Sequence, residues 1–208
     1  MITLWGRPSS VNVQKVLWAL DELGLPFAHE IVGGPHGGLD RPEFAALSPV
    51  GRVPVLQDGP LTLWESHAIL RHLARVHGTP IAPSDAALPV ADQWMEYVTS
   101  TLQPPFIGLF WQIVRTPPAM RSDSAQARHR AGFLAALDPL EARLGVSRWL
   151  AGEDFSIADI AAGSLFYRAC DLCDPFAGRP ALARWYGALC TRPAYGRVVM
   201  TSYDELRA

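Results

Sequence analysis

The chain has 208 residues, of which 49% are apolar and 18% are charged, and its formal net charge is -2. This length is enough for one large domain or two small ones with a real hydrophobic core. Such a low charge, with a pI of about 6.3, leaves no basic surface for nucleic acid or an anionic membrane, so we expect neither as a partner. No apolar run approaches the ~20 residues of a membrane span. Met1 leads directly into a strand-like segment, so we expect no signal peptide.

The cysteines and cations of the chain carry further information. The three cysteines, Cys170, Cys173 and Cys190, all lie in the last fifth of the sequence. An odd, late set predicts a reducing compartment, and hence a cytoplasmic protein, rather than a disulfide framework. The C-x-x-C spacing lacks a second ligand pair and the histidines lack metal-ligand spacing, so we interpret the first two cysteines as core residues and expect no metal. Lys15 is the single lysine beside seventeen arginines, which we attribute to codon usage.

Residues 1–78 combine strand and helix patterns. Short apolar runs predict strands at 2–5, 27–32, 53–56 and 61–64. A helix with an apolar face follows the first strand and ends at Gly24, and a second helix is predicted over 66–76. The glycine-rich stretch 33–38 is typical of a loop. The order β-α-β, loop, β-β-α predicts a parallel crossover followed by an antiparallel hairpin.

Residues 79–86 lose periodicity and are predicted to be a linker, and the pattern from 87 to 208 is helical throughout. Proline pairs at 104–105 and 117–118 are expected to break or kink these helices. The segment 155–160 is typical of a capping box, with Ser156 as N-cap and Asp159 three residues later. Pro180 is expected at the first position of another helix. The chain is therefore predicted to be a small α/β domain joined to an all-helical domain.

Four of these segments, in this order, resemble the cytosolic glutathione transferases. They are residues 10–16, residues 48–56, residues 64–66 and the capping box at Ser156. Each motif is weakly specific alone, but four in register are a strong signal. The match is closest to bacterial, theta- or nu-like members with a serine or asparagine active site. The resemblance implies a thioredoxin-like N-terminal domain that binds glutathione, a helical C-terminal domain and a homodimer.

The resemblance assigns activation of the glutathione thiol to the start of the first helix. Serine-type members have a serine six residues before a helix valine, as Ser10 stands before Val16, and a related bacterial group has an asparagine four residues before it, as Asn12 does. Lowering a thiol pKa from ~8.5 to ~7 requires about 2 kcal/mol. One hydrogen bond to a charged group supplies ~1.5–3 kcal/mol, and a helix N-terminus adds ~0.3–1 kcal/mol. Ser10 and Asn12 therefore both stand as catalytic candidates.

The rest of the glutathione site is also implied by the resemblance. Val53 and Pro54 are expected to form a cis peptide whose preceding main chain pairs with the cysteinyl part of glutathione like an added strand. Glu65 and Ser66 lie where a strand turns into a helix, and the free N–H groups of such a helix start suit a carboxylate. Ser66 is expected to bind the γ-glutamyl carboxylate and Glu65 to lie near the ammonium group.

No cysteine lies near the first helix, which disfavours thioredoxin-type dithiol chemistry and leaves the thiol of glutathione as the reacting group. The second substrate is expected to be a small apolar electrophile, bound in a cleft lined by Phe106, Phe110 or Trp111. The predicted function is conjugation of the glutathione thiolate to electrophilic, mostly apolar substrates. Two alternatives stay open on the same fold, namely a glutathione-dependent disulfide reductase or isomerase, and a non-catalytic binding or regulatory module.

Overall fold

A computed structural model describes all residues from 1 to 208, and its first half is a four-stranded sheet with helices. The strands are β1 (Ile2–Trp5), β2 (Phe27–Glu30), β3 (Val55–Asp58) and β4 (Leu61–Trp64), and the helices are α1 (Val11–Glu22), α2 (Pro42–Leu47) and α3 (Ser66–His77). The strand order is β2-β1-β3-β4, with β1 and β2 parallel and the other pairs antiparallel. This arrangement confirms the crossover and hairpin predicted from the sequence.

Two strand boundaries differ from the prediction, for identifiable reasons. The second strand stops before Val32, whose apolar side chain packs with Phe44 and Val55 in a small separate cluster instead of continuing the strand. The third strand begins at Val55 rather than at 53, because residue 54 is a proline without an N–H group for the ladder. Helix α2, which carries Phe44, was not predicted, since six residues are too few to show a helical period.

The second half is helical, as predicted. It contains α4 (Leu88–Tyr97), α5 (Gln103–Phe110), α6 (Asp123–Ala135), α7 (Asp138–Val146), α8 (Ile157–Gly163), α9 (Phe166–Leu172), α10 (Pro180–Cys190) and α11 (Pro193–Val198). The prolines at 104 and 105 lie in the first turn of α5, directly after a π-helical segment at Val98–Leu102. The wider π turn comes directly before the two prolines, which lack N–H donors. The helix therefore continues through this point instead of breaking. It ends at Arg115, before the second proline pair.

Helix α1 joins the two halves, because it packs against α3 on one side and against α8 and α11 on the other. The approach to α8 depends on Gly163, where a Cβ atom would lie 2.6 Å from Leu189 Cδ1 and 3.2 Å from the Trp18 ring. At the far end of α1, the Arg192 guanidinium donates two hydrogen bonds of 2.7 Å to the Glu22 carboxylate. One hydrophobic core consequently runs through both halves. None of the helices combines the length and hydrophobicity needed to cross a lipid bilayer.

The capping box at the start of α8 is present as predicted. Asp159 is completely buried, and its carboxylate accepts hydrogen bonds from the Ser156 N–H at 3.0 Å, the Leu150 N–H at 3.0 Å and the Trp185 indole N–H at 2.8 Å. Burial raises the pKa of Asp159 to about 6 despite these donors. The Asp159 side chain therefore connects α8 to α10 and to the loop that precedes α8.

We expect Asp159→Asn to lower the free energy of unfolding by about 2–4 kcal/mol, because an amide nitrogen would face donors that only an acceptor can satisfy. Urea denaturation measures this change. Asp154→Asn, at an exposed position without hydrogen bonds, is the control and should stay within about 0.5 kcal/mol of the unmodified protein. An equal effect of the two substitutions would contradict the role given to Asp159.

Candidate functional site

Ser10 and Ser9 differ sharply in their surroundings at the start of α1. Ser10 is the N-cap residue, but its side chain makes no capping hydrogen bond and its hydroxyl has no partner in the chain. Ser9 is buried, its hydroxyl donates to the Glu205 carboxylate, and its carbonyl accepts from the Arg168 guanidinium at 2.8 Å. The first main-chain hydrogen bond of α1 runs from Gln14 N–H to Ser10 C=O, at 2.8 Å. The N–H groups of residues 11–13 are therefore free at this helix end.

The loop before β3 brings a free stretch of main chain close to the start of α1. The Val53–Pro54 peptide is cis, and no backbone hydrogen bond of the chain uses the N–H or C=O of Val53. Ser48 holds this loop, since its buried hydroxyl donates to Arg52 C=O at 3.3 Å and accepts from Arg52 N–H at 3.4 Å. Gly6, with φ of 144°, lets the loop approach, because a Cβ there would lie 3.0 Å from Val53 Cβ.

The start of α3 is a second open helix end. Glu65 has φ of 70° and is the only non-glycine residue with positive φ, a conformation that costs of order 1–3 kcal/mol. Its carbonyl accepts the first hydrogen bond of α3 from Ile69 N–H at 3.0 Å, which leaves the N–H groups of residues 66–68 free. The Ser66 hydroxyl makes no hydrogen bond within the chain. Free donors and a strained residue are typical of a prepared anion site.

These three pieces meet in one cleft. Its lining residues are Asn12, Val50, Arg52, Val53, Pro54, Trp64, Glu65 and Ser66. An adjoining cleft shares Asn12, Glu65 and Ser66 and continues between α3 and the helical half, along Lys15, His67, Ala68, Arg71, Glu96, Thr99 and Gln103. Of the two thiol-activating candidates, Asn12 therefore lines both clefts, whereas Ser10 lines neither. The structure brings the remaining four predicted glutathione residues together with Asn12.

The aromatic residues predicted to line a second-substrate cleft are distributed differently. Phe106 and Phe110 are buried, with their ring centroids 6.2 Å apart, and Phe106 also contacts Phe133 at 5.6 Å. Trp111 is 51% exposed, and the Arg115 guanidinium lies 4.7 Å from its ring centroid. Of the three predicted residues, Trp111 alone offers substantial surface to a ligand.

A buried polar network that was not predicted from the sequence lies beside Asn12. Lys15, on α1, has no exposed surface, and its Nζ donates to Gln103 Oε1 at 2.8 Å and lies 3.1 Å from His67 Nε2. Gln103 Nε2 in turn donates to Asn12 Oδ1 at 3.3 Å, and His67 Nδ1 lies 2.9 Å from Thr99 Oγ1. The only available signal was the single lysine, three residues after Asn12 on the same helix.

Burial dominates the electrostatics of this network. Burial lowers the pKa of Lys15 to about 7, although the nearby Glu65 carboxylate opposes the shift. Burial, together with the charges of Lys15 and Arg71, lowers the pKa of His67 to about 2, so that imidazole is neutral. A neutral imidazole has one acceptor nitrogen, which here faces the Lys15 amine.

Comparison with known proteins gives these clefts a context. Residues 9–76 match the family model of the glutathione S-transferase N-terminal domain, and residues 123–188 match that of the C-terminal domain. Glutathione S-transferase GstB of Escherichia coli is 38% identical over 204 residues, covering 96% of this chain and 98% of the relative. The chain belongs to the glutathione S-transferase family. A theta-class glutathione S-transferase from Xanthomonas axonopodis pv. citri, solved with glutathione bound, has a TM-score of 0.91 and 41% identity over 97% of this chain and 98% of its own.

A cysteine at the start of the first helix would favour chemistry on a thiol of the protein itself. In this chain the three cysteines lie elsewhere. Cys170 is exposed and Cys173 and Cys190 are half-buried, all in the helical half. The interpretation of the first two as core residues is therefore wrong for Cys170. Although the residue as a whole is exposed, partial burial of its thiol raises the pKa of Cys170 to about 11, which disfavours the thiolate. The glutathione S-transferase site described here contains no thiol of its own.

We expect the free energy of unfolding of Lys15→Met, relative to that of the unmodified protein, to fall as the pH rises above 7. Lys15 releases its proton near pH 7 in the folded chain but near 10.5 when unfolded, so between these values the unfolded chain binds the extra proton. The unmodified protein therefore gains up to about 1.4 kcal/mol per pH unit that the variant does not gain. Urea denaturation of both proteins from pH 7 to pH 9 measures the difference, and a constant difference would contradict the buried titration.

Proposed function

We propose that this glutathione S-transferase conjugates the thiolate of glutathione to small electrophilic, mostly apolar substrates. The observation that carries the proposal is the single cleft lined by Asn12, the cis Val53–Pro54 peptide, Glu65 and Ser66. It combines a stretch of main chain with unused hydrogen-bonding groups, an anion site at a helix start and an amide side chain within one small volume. Glutathione, a peptide with a terminal carboxylate beside an ammonium group, needs these three features.

Glutathione would lie across the cleft with its γ-glutamyl end at α3. The free N–H groups and the Ser66 hydroxyl receive its α-carboxylate, and the exposed Glu65 carboxylate lies beside the ammonium group. The cysteinyl residue pairs with the unused N–H and C=O of Val53 as an added strand. The Xanthomonas relative, which shares this fold, was solved with glutathione bound, and this supports glutathione as the ligand.

Asn12 is the principal donor to the sulfur in this proposal, with Ser10 as a secondary one. Asn12 shares both clefts with the γ-glutamyl site, and its amide lies at the N-terminus of α1, where residues 11–13 keep free N–H groups. A hydrogen bond donated to a charged sulfur contributes ~1.5–3 kcal/mol. About 2 kcal/mol is needed for half of the thiol to be ionised at neutral pH, so one such hydrogen bond is sufficient. The thiolate then attacks the electrophile and, with an aryl halide, displaces the halide. Trp111 is the one predicted aromatic residue with an exposed ring, but it lines neither cleft.

The proposal includes a homodimer with one such cleft in each subunit, on the basis of the family resemblance. Analytical ultracentrifugation of the purified protein checks this part, and a single species of 22.7 kDa would contradict it.

Asn12→Ala should lower kcat/KM for glutathione and an activated aryl halide by about 10- to 100-fold, because one hydrogen bond to the thiolate is lost. Ser10→Ala should have a smaller effect, and the double variant should have essentially no activity. Ser124→Ala, at an exposed position on α6, is the control and should be unchanged. The measurement is the initial rate of conjugation.

Full activity of the double variant would contradict the mechanism. Calorimetry of the unmodified protein with glutathione tests the function itself, since absence of binding would favour a binding or regulatory module instead. A mixed disulfide assayed beside the aryl halide separates conjugation from disulfide reduction, and faster turnover of the disulfide would contradict conjugation as the main activity.

A further inference from the structure

The side-chain amide of Asn12 has two faces with opposite effects on a thiolate. Its Nδ2 group donates hydrogen bonds and stabilises a negative sulfur, whereas its Oδ1 atom carries partial negative charge and repels one. A freely rotating amide would present both. The orientation of this one group therefore determines how well the cleft ionises a bound thiol.

The structure holds Asn12 in one of these two orientations through Gln103, the first residue of α5. Gln103 Nε2 donates to Asn12 Oδ1 at 3.3 Å, while Gln103 Oε1 accepts from Lys15 Nζ at 2.8 Å. Lys15 Nζ is the donor in this contact, and in its protonated form it has three donors and no acceptor, so that only the oxygen of Gln103 can face it. The nitrogen of Gln103 must then face Asn12, which must turn its own oxygen toward Gln103. The Asn12 Nδ2 group is left to point away from this contact.

Lys15 is itself held from the other side. His67 is neutral, so its Nε2 accepts from Lys15 at 3.1 Å and its Nδ1–H donates to Thr99 Oγ1 at 2.9 Å. The Thr99 hydroxyl donates onward to Met95 C=O at 3.2 Å. The direction of each hydrogen bond in this series is therefore determined, starting from the main-chain carbonyl of Met95 on α4, which can only accept.

We infer that Gln103 and Lys15 are positioning residues that turn the Asn12 amide N–H toward the sulfur of bound glutathione. The inference rests on the proposed function. Neither residue has to touch the thiol, because both act through the orientation of Asn12. Gln103 belongs to the helical half and Asn12 to the sheet half. Ionisation of the bound thiol therefore also depends on how the two halves pack against each other.

Gln103→Glu tests this inference most sharply. The glutamate has nearly the same shape and keeps an acceptor for Lys15, but it has no donor for Asn12. The carboxylate would accept from Asn12 Nδ2 and turn Oδ1 toward the sulfur. We expect the pKa of bound glutathione, followed by thiolate absorbance in the near ultraviolet, to rise by about one unit, which is tenfold less thiolate at neutral pH. Binding of S-methylglutathione, which has no thiol proton, should change by less than about threefold by calorimetry.

A negative charge near the sulfur would also raise its pKa, and a double-mutant cycle separates the two causes. If the effect passes through Asn12, Gln103→Glu should leave the thiol pKa nearly unchanged in the Asn12→Ala background. Gln126→Glu, which adds the same charge on α6 where the side chain has no hydrogen bond, should behave like the unmodified protein. Lys15→Met gives a second route to the same result, because it frees Gln103 to rotate and should raise the thiol pKa by a smaller amount.

An unchanged thiol pKa in Gln103→Glu, or an equal shift with and without Asn12, would overturn the inference. If Asn12→Ala still raises the thiol pKa in that case, the proposed function stands and only the positioning role fails. If the unmodified protein neither binds nor ionises glutathione, the proposed function and the inference are overturned together.

Discussion

The buried ammonium of Lys15 is the constraint around which the cleft is organised. Taking a lysine out of water costs several kcal/mol unless hydrogen bonds replace its hydration. Here the replacement comes from two other elements, His67 on α3 and Gln103 on α5. Because neither partner can move away without leaving the charge unpaired, Lys15 fixes the spacing of three helices, and the candidate glutathione site lies where two of them begin.

This constraint also changes how the composition is understood. Codon usage is sufficient to explain why seventeen of the cationic residues are arginines, but it does not explain why Lys15 is a lysine. An arginine at position 15 would bring a planar group with five donors into a space that offers two acceptors, and it would keep its charge at any pH. A compact amine that can release its proton therefore suits this position better than a guanidinium does. The composition therefore carried structural information that no local motif expressed.

The framework of the site could be predicted from the sequence in two ways. The cis proline and the serine at the start of α3 were expected from the resemblance to the glutathione transferases, whereas the capping box at Ser156 is determined by residues close to it in the sequence. Burial of Lys15 could not be predicted in this way, since its partners are 52 and 88 residues further along the chain. The same limit explains the aromatic stretch of α5, where spacing alone could not separate the buried Phe106 from the exposed Trp111. Ser10 and Asn12 could not be ranked either, because the distinction between them is the cleft that each one faces.

Strain and burial are concentrated at this junction, and both are unfavourable for folding alone. Glu65 holds a positive φ that a glycine would adopt more easily, and Lys15 holds a charge that an apolar residue would replace at lower cost. Their joint presence beside free helix N-termini is understandable if the cleft is shaped for a ligand rather than for stability. The orientation of the Asn12 amide connects the buried Lys15 to the ionisation of the bound thiol.

The most direct measurement is a neutron or atomic-resolution X-ray structure of the protein with glutathione bound. We predict that the sulfur lies within hydrogen-bond distance of Asn12 Nδ2, that the cysteinyl main chain pairs with Val53, and that Asn12 Oδ1 still faces Gln103. A sulfur bound by the Ser10 hydroxyl, with the Asn12 amide turned away or its oxygen toward the sulfur, would contradict it.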